Sequence, residues 1–347
     1  MNPYAMSVLL SSLSIGTTIT ISCHHWFLAW MSLEINTLAM VPLMSKMHHP
    51  RSTEAATKYF LIQASASALI LFTIMLNAWL SGEWTMLNMQ TQLSTVILTL
   101  AMIMKLGVAP LHFWLPDVLQ GLDMMTCLIL STWQKLAPMA LFLQINQNLN
   151  YNLLMSIGIL STLVGGWGGL NQTQFRKIMA FSSIAHLGWM MLILPFMSSL
   201  TLMNLVLYIM LTTTMFLMIM NMKAINISKM TYSWMKTPVL TTMMMMILMS
   251  MGGLPPTSGF MPKWLIIEEL TKQNMMSAAT LTMMSALLSL FFYLRLSYNI
   301  SLTTTPSTSN SKLMWWFKPK SNMMLPLSVT LSTMILPLTP MIMNIYL

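Results

Sequence analysis

Runs of about 20 apolar residues, the length that crosses a bilayer, recur eleven times along this chain. They begin near residues 3, 25, 59, 93, 124, 150, 174, 201, 238, 275 and 323. A hydrocarbon environment leaves backbone N–H and C=O groups no water to bond, so each run must be a helix. Only 7% of the residues are charged, against about 25% in a soluble domain. The predicted fold class is therefore an all-α polytopic membrane protein with about eleven spans.

Charge supports the count. Loops after even-numbered spans hold Lys46, Arg51, Lys58, Arg176, Lys177, Lys223, Lys229, Lys236, Arg295, Lys312, Lys318 and Lys320, twelve of the sixteen basic residues. Loops after odd-numbered spans hold only Lys272. Such asymmetry marks the non-translocated side. It puts the N-terminus there and, after eleven crossings, the C-terminus on the opposite side. The net charge of +9 is thus a membrane feature and gives no reason to expect nucleic acid. Trp315, Trp316 and Phe317 among lysines suit the membrane interface, where indole rings and snorkelling lysines are both accommodated.

Two spans contain residues that a spanning helix should avoid. In span 4, Lys105 is followed by Gly107, Pro110, His112 and Pro116. In span 9, Gly253 and Pro256 are again three apart, followed by Phe260, Pro262 and Lys263. Pro removes a donor and clashes with the preceding turn, so both helices should break, between Gly107 and Pro110 and between Gly253 and Pro256. Broken backbone at membrane depth survives only against protein or a water-filled cavity. Five spans separate the breaks, so the two broken helices cross in opposite senses. That is the pattern of an inverted-repeat transporter, although the spans after the second break are too few to complete a repeat that starts there.

Four ionisable residues fall inside spans: Glu34, Lys105, Lys135 and Lys263. One charge at the bilayer centre costs about 2.5–3.5 kcal/mol, so four unpaired ones would cost on the order of 10 kcal/mol. They must face the interior, near partners or water. A group balanced between burial, which disfavours charge, and an opposite charge, which favours it, can change protonation when its neighbour changes. Lys105 ends its half-helix, where the helix dipole favours a cation, and Lys263 begins one, where the dipole opposes it. His112 and His186 are further candidates, since imidazole exchanges protons near neutral pH; either could equally be a packing residue. His24, His25, His48 and His49 lie at interfaces. Glu54, Asp117 and Asp123 balance loop charge or line a proton access route, and Glu268, Glu269 and Lys272 form a charged rim.

Other chemistry lacks a signal. Cys23 and Cys127 are far apart, and the chain has no nucleotide-binding glycine motif, Walker loop or HExxH, so no disulfide framework, metal or nucleotide is expected. Asn171-Gln172-Thr173 fits a glycosylation acceptor but lies on the basic side. The N-terminal span is too long and too weakly flanked by cations for a signal peptide.

Seven segments carry a family resemblance. They are Glu34 in its span; Met104-Lys105-Leu106-Gly107 through Pro116; Trp133-Gln134-Lys135-Leu136-Ala137-Pro138; Gly165 to Thr173; Arg176 to Ala180; Ser182-Ser183-Ile184-Ala185-His186; and Gly252 to Lys263. Together they resemble the antiporter-like membrane subunits of respiratory complex I, in particular the NADH:ubiquinone oxidoreductase chain 2 family in its mitochondrially encoded animal form. The 44 methionines are consistent with the mitochondrial code. The resemblance implies a proton-translocating subunit of the inner mitochondrial membrane, N-terminus in the matrix and C-terminus in the intermembrane space. It implies one transmembrane domain with repeats at about 1–145 and 149–297 and a last helix at about 323–343, helices 4 and 9 being discontinuous. No cofactor is expected in this chain; FMN, iron–sulfur clusters and ubiquinone would belong to other subunits. Partners would be other membrane-arm subunits and lipid, with cardiolipin the candidate. Glu34, Lys105, Lys135 and Lys263 carry over as proton-translocation residues, with His112 and His186 on the same hydrophilic axis. A scaffold that holds the arm together without a proton path is the competing expectation.

Overall fold

The first three helices begin where a side chain fills one of their first backbone donors. Asn2 accepts from Tyr4 N at 3.3 Å to open α1 (Pro3–Ser22), with Pro3 in the first turn. His25 Nδ1 accepts from Phe27 N at 3.3 Å at the start of α2 (Trp26–Met44). His49 Nδ1 does the same for Arg51 N, also at 3.3 Å, at the start of α3 (Pro50–Ser81). The exposed interface histidines His25 and His49 are thus N-caps.

The computed structural model describes residues 2–46, 48–86, 89, 91–224, 226–231, 233–255, 257–302, 309, 324–334, 336–338 and 341. Pro256, the aromatic cluster at Trp315, Trp316 and Phe317, and the C-terminal Leu347 lie outside the described residues. The remaining helices are α4 (Gln92–Leu106), α5 (Trp114–Gly121), α6 (Met124–Ile145), α7 (Tyr151–Gly169), α8 (Phe175–Ile193), α9 (Ser198–Met222), α10 (Ile227–Thr231), α11 (Ser233–Lys236), α12 (Pro238–Gly252), α13 (Phe260–Lys272), α14 (Met276–Leu302) and α15 (Met324–Met334). No strand occurs among the described residues. Among the described residues, seven helices are long and apolar enough to cross a membrane, and Gln92–Leu106, Pro238–Gly252 and Met324–Thr333 are shorter apolar helices.

Helix α3 departs from the sequence expectation. Hydropathy places its start near residue 59, whereas the helix starts at Pro50. The cap at His49 and the proline at N1 launch a helix whose first turns carry Arg51, Glu54 and Lys58. Its 32 residues span about 48 Å, well beyond a hydrocarbon core of about 30 Å, so the charged turns extend past the apolar part. Lys58 pairs there with Glu54 at 2.7 Å and Asp117 at 3.6 Å.

The chain divides into two compact units, Met1–Ser161 and Thr162–Leu347. In the first, α3 packs on α2, α4 and α5, and α6 packs on α1, α2 and α4. Gly121 closes α5 against α3 so tightly that a Cβ there would meet Arg51 O at 2.6 Å. Trp30 Nε1 ties α2 to α3 by donating to Ser67 O at 3.1 Å. In the second, α8 is buried on nearly all sides from Ile178 to Ile193, the signature of a central helix. There α9 packs on α8, α12 and α15, and α14 on α12 and α13.

Hydroxyl side chains enter these apolar helices by bonding backward to their own backbone. Thr20 donates to Thr17 O, Ser32 to Ala29 O and Thr99 to Val96 O, each at 2.7 Å. The outward faces are apolar: Leu61, Trp79, Trp167 and Met284 are each more than 60% exposed. Apolar exposure on this scale marks surfaces made for lipid or neighbouring proteins.

Candidate functional site

The site of the first unit is built on the end of α4. Gly107 stops the helix in the left-handed region, φ 72° and ψ 39°, which costs an L side chain about 1–2 kcal/mol but glycine nothing. Its N–H and that of Val108 both donate to Ile103 O, at 2.9 and 3.2 Å. The next two carbonyls are covered from elsewhere: Trp114 Nε1 donates to Met104 O at 3.2 Å, and Gln63 Nε2 donates to Lys105 O at 3.3 Å. The chain passes through Pro110, joined to Ala109 by a cis peptide, before α5 resumes at Trp114. The carbonyls of Ile103, Met104 and Lys105 therefore each have a donor, as an apolar surrounding requires.

Lys105, in that last turn, is buried at 7% exposure, and Lys135 on α6 at 4%. The two lysines line one small cavity with Thr37 from α2, Tyr59 and Gln63 from α3, and Gln134 from α6. Its volume is about 20 Å³, room for about one ordered water. Lys105 Nζ has no hydrogen-bond partner among the described residues.

Glu34 does not line this cavity. Its Oε2 accepts from Thr37 Oγ1 at 3.0 Å, and Thr37 does line it. Glu34 and Lys105 form no hydrogen-bonded ion pair. The expected direct pair is not formed; Thr37 bonds the acid and lines the cavity that Lys105 also lines. His112 is buried in the segment after α4, Nδ1 3.2 Å from Pro110 O and its ring 4.3 Å from that of Phe113; it is not part of the cavity wall.

The second unit repeats the construction. Gly253 ends α12 at φ 81° and ψ 40°. Gly253 N and Leu254 N donate to Met249 O at 3.1 and 3.2 Å. Here the following carbonyls go to a lysine: Lys263 Nζ, from the first turn of α13, donates to Gly252 O at 2.8 Å and to Met251 O at 3.4 Å. This revises the dipole argument made from sequence. Lys263 does begin α13, but its head lies against the C-terminal carbonyls of α12, where a cation is favoured. The carbonyls that decide the sign belong to the helix before the one that carries the lysine. His186 is buried within α8, its ring 5.6 Å from Tyr208.

One offset relates the two constructions. A step of 146 residues carries Gln92 to Pro238, Leu106 to Gly252, Gly107 to Gly253 and Trp114 to Phe260, the matching ends and starts of helices in each unit. The same step carries Pro110 to Pro256 and Pro116 to Pro262 in the sequence.

Sequence reasoning missed Thr37, Gln63, Trp114 and Gln134. Neutral amides, hydroxyls and indoles carry no charge signal in an apolar run. Their one legible feature is hydrogen-bonding capacity in spans that otherwise have little need of it.

These features define a polytopic helical membrane protein with lysines buried among its helices, Lys105 at the end of α4 and Lys135 within α6. A family profile described as NADH:quinone oxidoreductase/Mrp antiporter, transmembrane, matches residues 23–289, and one described as the NADH dehydrogenase subunit 2 C-terminus matches residues 290–343. The NADH-ubiquinone oxidoreductase chain 2 of Xenopus laevis is 56% identical over 342 residues, covering 98% of this chain and 99% of that one. The Danio rerio counterpart is 54% identical, covering 99% of each. A chain of respiratory complex I from Thermus thermophilus superposes with a TM-score of 0.81 at 24% identity, over 97% of this chain and 80% of that one. A chain of an archaeal membrane-bound sulfane sulfur reductase gives 0.82 at 18% identity, over 96% and 73%. The structural likenesses establish a shared fold, and the sequence relationships go further: the chain belongs to the NADH-ubiquinone oxidoreductase chain 2 family.

Proposed function

We propose that this chain is a proton-translocating core membrane subunit of respiratory complex I in the inner mitochondrial membrane. It contributes no redox chemistry of its own; electron transfer from NADH to ubiquinone in the partner subunits drives it. The observation that carries the reading is the cavity shared by Lys105 and Lys135 beside the end of α4. A buried ammonium such as that of Lys105, with no hydrogen-bond partner among the described residues, is costly to keep. Storing and passing protons is the use that justifies that cost.

The proposed topology has eleven spans. Two are discontinuous, α4 with α5 and α12 with α13. The repeats cover about 1–145 and 149–297, followed by a last helix at about 323–343. The constant 146-residue offset supports the repeats, and five crossings in each give them opposite senses across the membrane. The segregated loop charges support an orientation with the N-terminus and Arg51 in the matrix and Leu347 in the intermembrane space. Protease or thiol-label access to residue 347 from the matrix alone would refute this count.

In the proposed route Glu34 and Lys105 form the switching element, Lys135 receives the proton, and Lys263 gates the second side, with His112 and His186 as auxiliary groups. Withdrawal of a carboxylate's field from a desolvated ammonium favours transfer of its proton to a neighbour. The scaffold reading has one observation in its favour, since Lys263 caps α12 as a structural residue would. It leaves the unbonded head of Lys105 without an explanation. Lys105→Met keeps most of the apolar stem and removes the titratable head. In the assembled enzyme it should abolish proton translocation and coupled quinone reduction while NADH oxidation by an artificial acceptor persists; unchanged translocation would refute the reading.

A further inference from the structure

The lysine cavity holds polar atoms that its walls do not satisfy. Lys105 Nζ and Gln134 Nε2 are both buried with no hydrogen-bond partner among the described residues, and both side chains line the cavity. Leaving a buried donor unbonded costs about 1–3 kcal/mol, more when it is charged. An ordered water needs about 10–15 Å³ and two to four polar neighbours. The cavity offers about 20 Å³, two donors in Lys105 and Gln134, and an acceptor in the hydroxyl of Thr37.

Thr37 links that space to Glu34. Its Oγ1 lies 3.0 Å from Glu34 Oε2 and 2.9 Å from the Glu34 backbone carbonyl oxygen. A hydroxyl has one proton and two lone pairs, and it rotates to suit its neighbours. It donates to an ionised carboxylate and accepts from a protonated one.

We infer that Thr37 is the positioning residue that couples Glu34 to the lysines, its hydroxyl and the Gln134 amide holding one ordered water between Lys105 and Lys135. The inference rests on the proton-translocation reading above. With Glu34 ionised, Thr37 donates to the carboxylate and accepts a proton of the water, leaving the water's lone pairs to the Lys105 ammonium and the Gln134 amide. When Glu34 is protonated, the carboxyl donates to Thr37 and the hydroxyl proton turns to the water. Thr37 then fills one lone pair of the water, and the Lys105 ammonium, no longer held by a carboxylate's charge, takes the other from the Gln134 amide and can release its proton there. In the transfer itself, Lys105 gives a proton to the water oxygen as the water gives one of its own to the Lys135 amine. The water is regenerated and one proton has moved. Glu34 and Lys105 thereby influence one another's charge through hydrogen-bond direction, with no direct ion pair.

The test is Thr37→Val, which replaces the hydroxyl by a methyl of similar shape, set beside Thr37→Ser, which retains the hydroxyl. Both are measured in the assembled enzyme as proton translocation, normalised to NADH oxidation by an artificial acceptor. Thr37→Val should lower translocation by about tenfold or more, and Thr37→Ser should stay within about twofold of the native chain, as loss and retention of a proton-relaying group require. Adding Glu34→Gln to Thr37→Val should cost nothing beyond the more severe single change, because the two lie on one connection. Native translocation in Thr37→Val, failure of Ser as complete as that of Val, or additive losses in the double variant would each overturn the inference. Should Thr37→Val not assemble, Gln134→Met provides the second measurement, slowed if the amide holds the water and unaltered if it does not. Lys105→Met separates this inference from the reading beneath it. If that variant is inactive while Thr37→Val pumps normally, only the Thr37 coupling falls; if Lys105→Met pumps normally, both fall.

Discussion

Gly253→Ala should damage the second unit more than its small size suggests, and Gly82→Ala provides the comparison. Both glycines have left-handed backbone, φ 81° and 72°, so a Cβ costs each about 1–2 kcal/mol. At Gly82 nothing lies within 4 Å of that Cβ, and the backbone term is the whole effect. At Gly253 the Cβ would meet both Cδ and Nζ of Lys263 at 2.9 Å. The lysine is flexible and will move, but moving takes its ammonium from Gly252 O and Met251 O. Losing hydrogen bonds to a charged group adds about 1.5–3 kcal/mol. The expected totals are about 2.5–5 kcal/mol at Gly253 against about 1–2 kcal/mol at Gly82. Thermal inactivation of the purified, assembled enzyme measures both. Proton translocation should fall in Gly253→Ala and be unaffected in Gly82→Ala. Equal inactivation temperatures with native translocation in both would show that the Lys263 cap is not the contact that Gly253 protects.

Three further outcomes follow from the same geometry. Trp114→Phe keeps the ring but removes the donor to Met104 O, so it should destabilise the assembly by about 1–3 kcal/mol, read as a lower inactivation temperature. Gln63→Leu leaves the Lys105 carbonyl without its donor and should cost a similar amount; a neutral result would mean that this carbonyl has another partner. Lys58→Met breaks the exposed contacts with Glu54 and Asp117 and should change stability by less than about 1 kcal/mol, a result checked in the same inactivation assay.

Much of the helical layout was legible because the bilayer imposes one length and one backbone solution. Starts expected near 3, 25, 93, 124, 150, 174, 201, 238, 275 and 323 fall within a few residues of the starts of α1, α2, α4, α6, α7, α8, α9, α12, α14 and α15. The start of α3 was missed because hydropathy registers where a helix is apolar, and its beginning is fixed by the cap at His49. Gly107 and Gly253 were legible as helix ends because a Gly with Pro three residues on favours a turn. The wall of the lysine cavity was not legible. Thr37 and Gln134 are brought together by the packing of α2 and α6, and no spacing along the chain encodes that meeting. The head of Lys263 was likewise beyond reach, since its partners belong to the helix before its own.

Lys105→Arg tests the central claim most directly. Arginine keeps its charge at any accessible pH and would satisfy a purely structural need for a cation, but it cannot release a proton to Lys135. In a fully assembled Lys105→Arg enzyme, proton translocation should be lost while NADH oxidation by an artificial acceptor continues. Native translocation in that enzyme would contradict the account and leave Lys105 a structural cation.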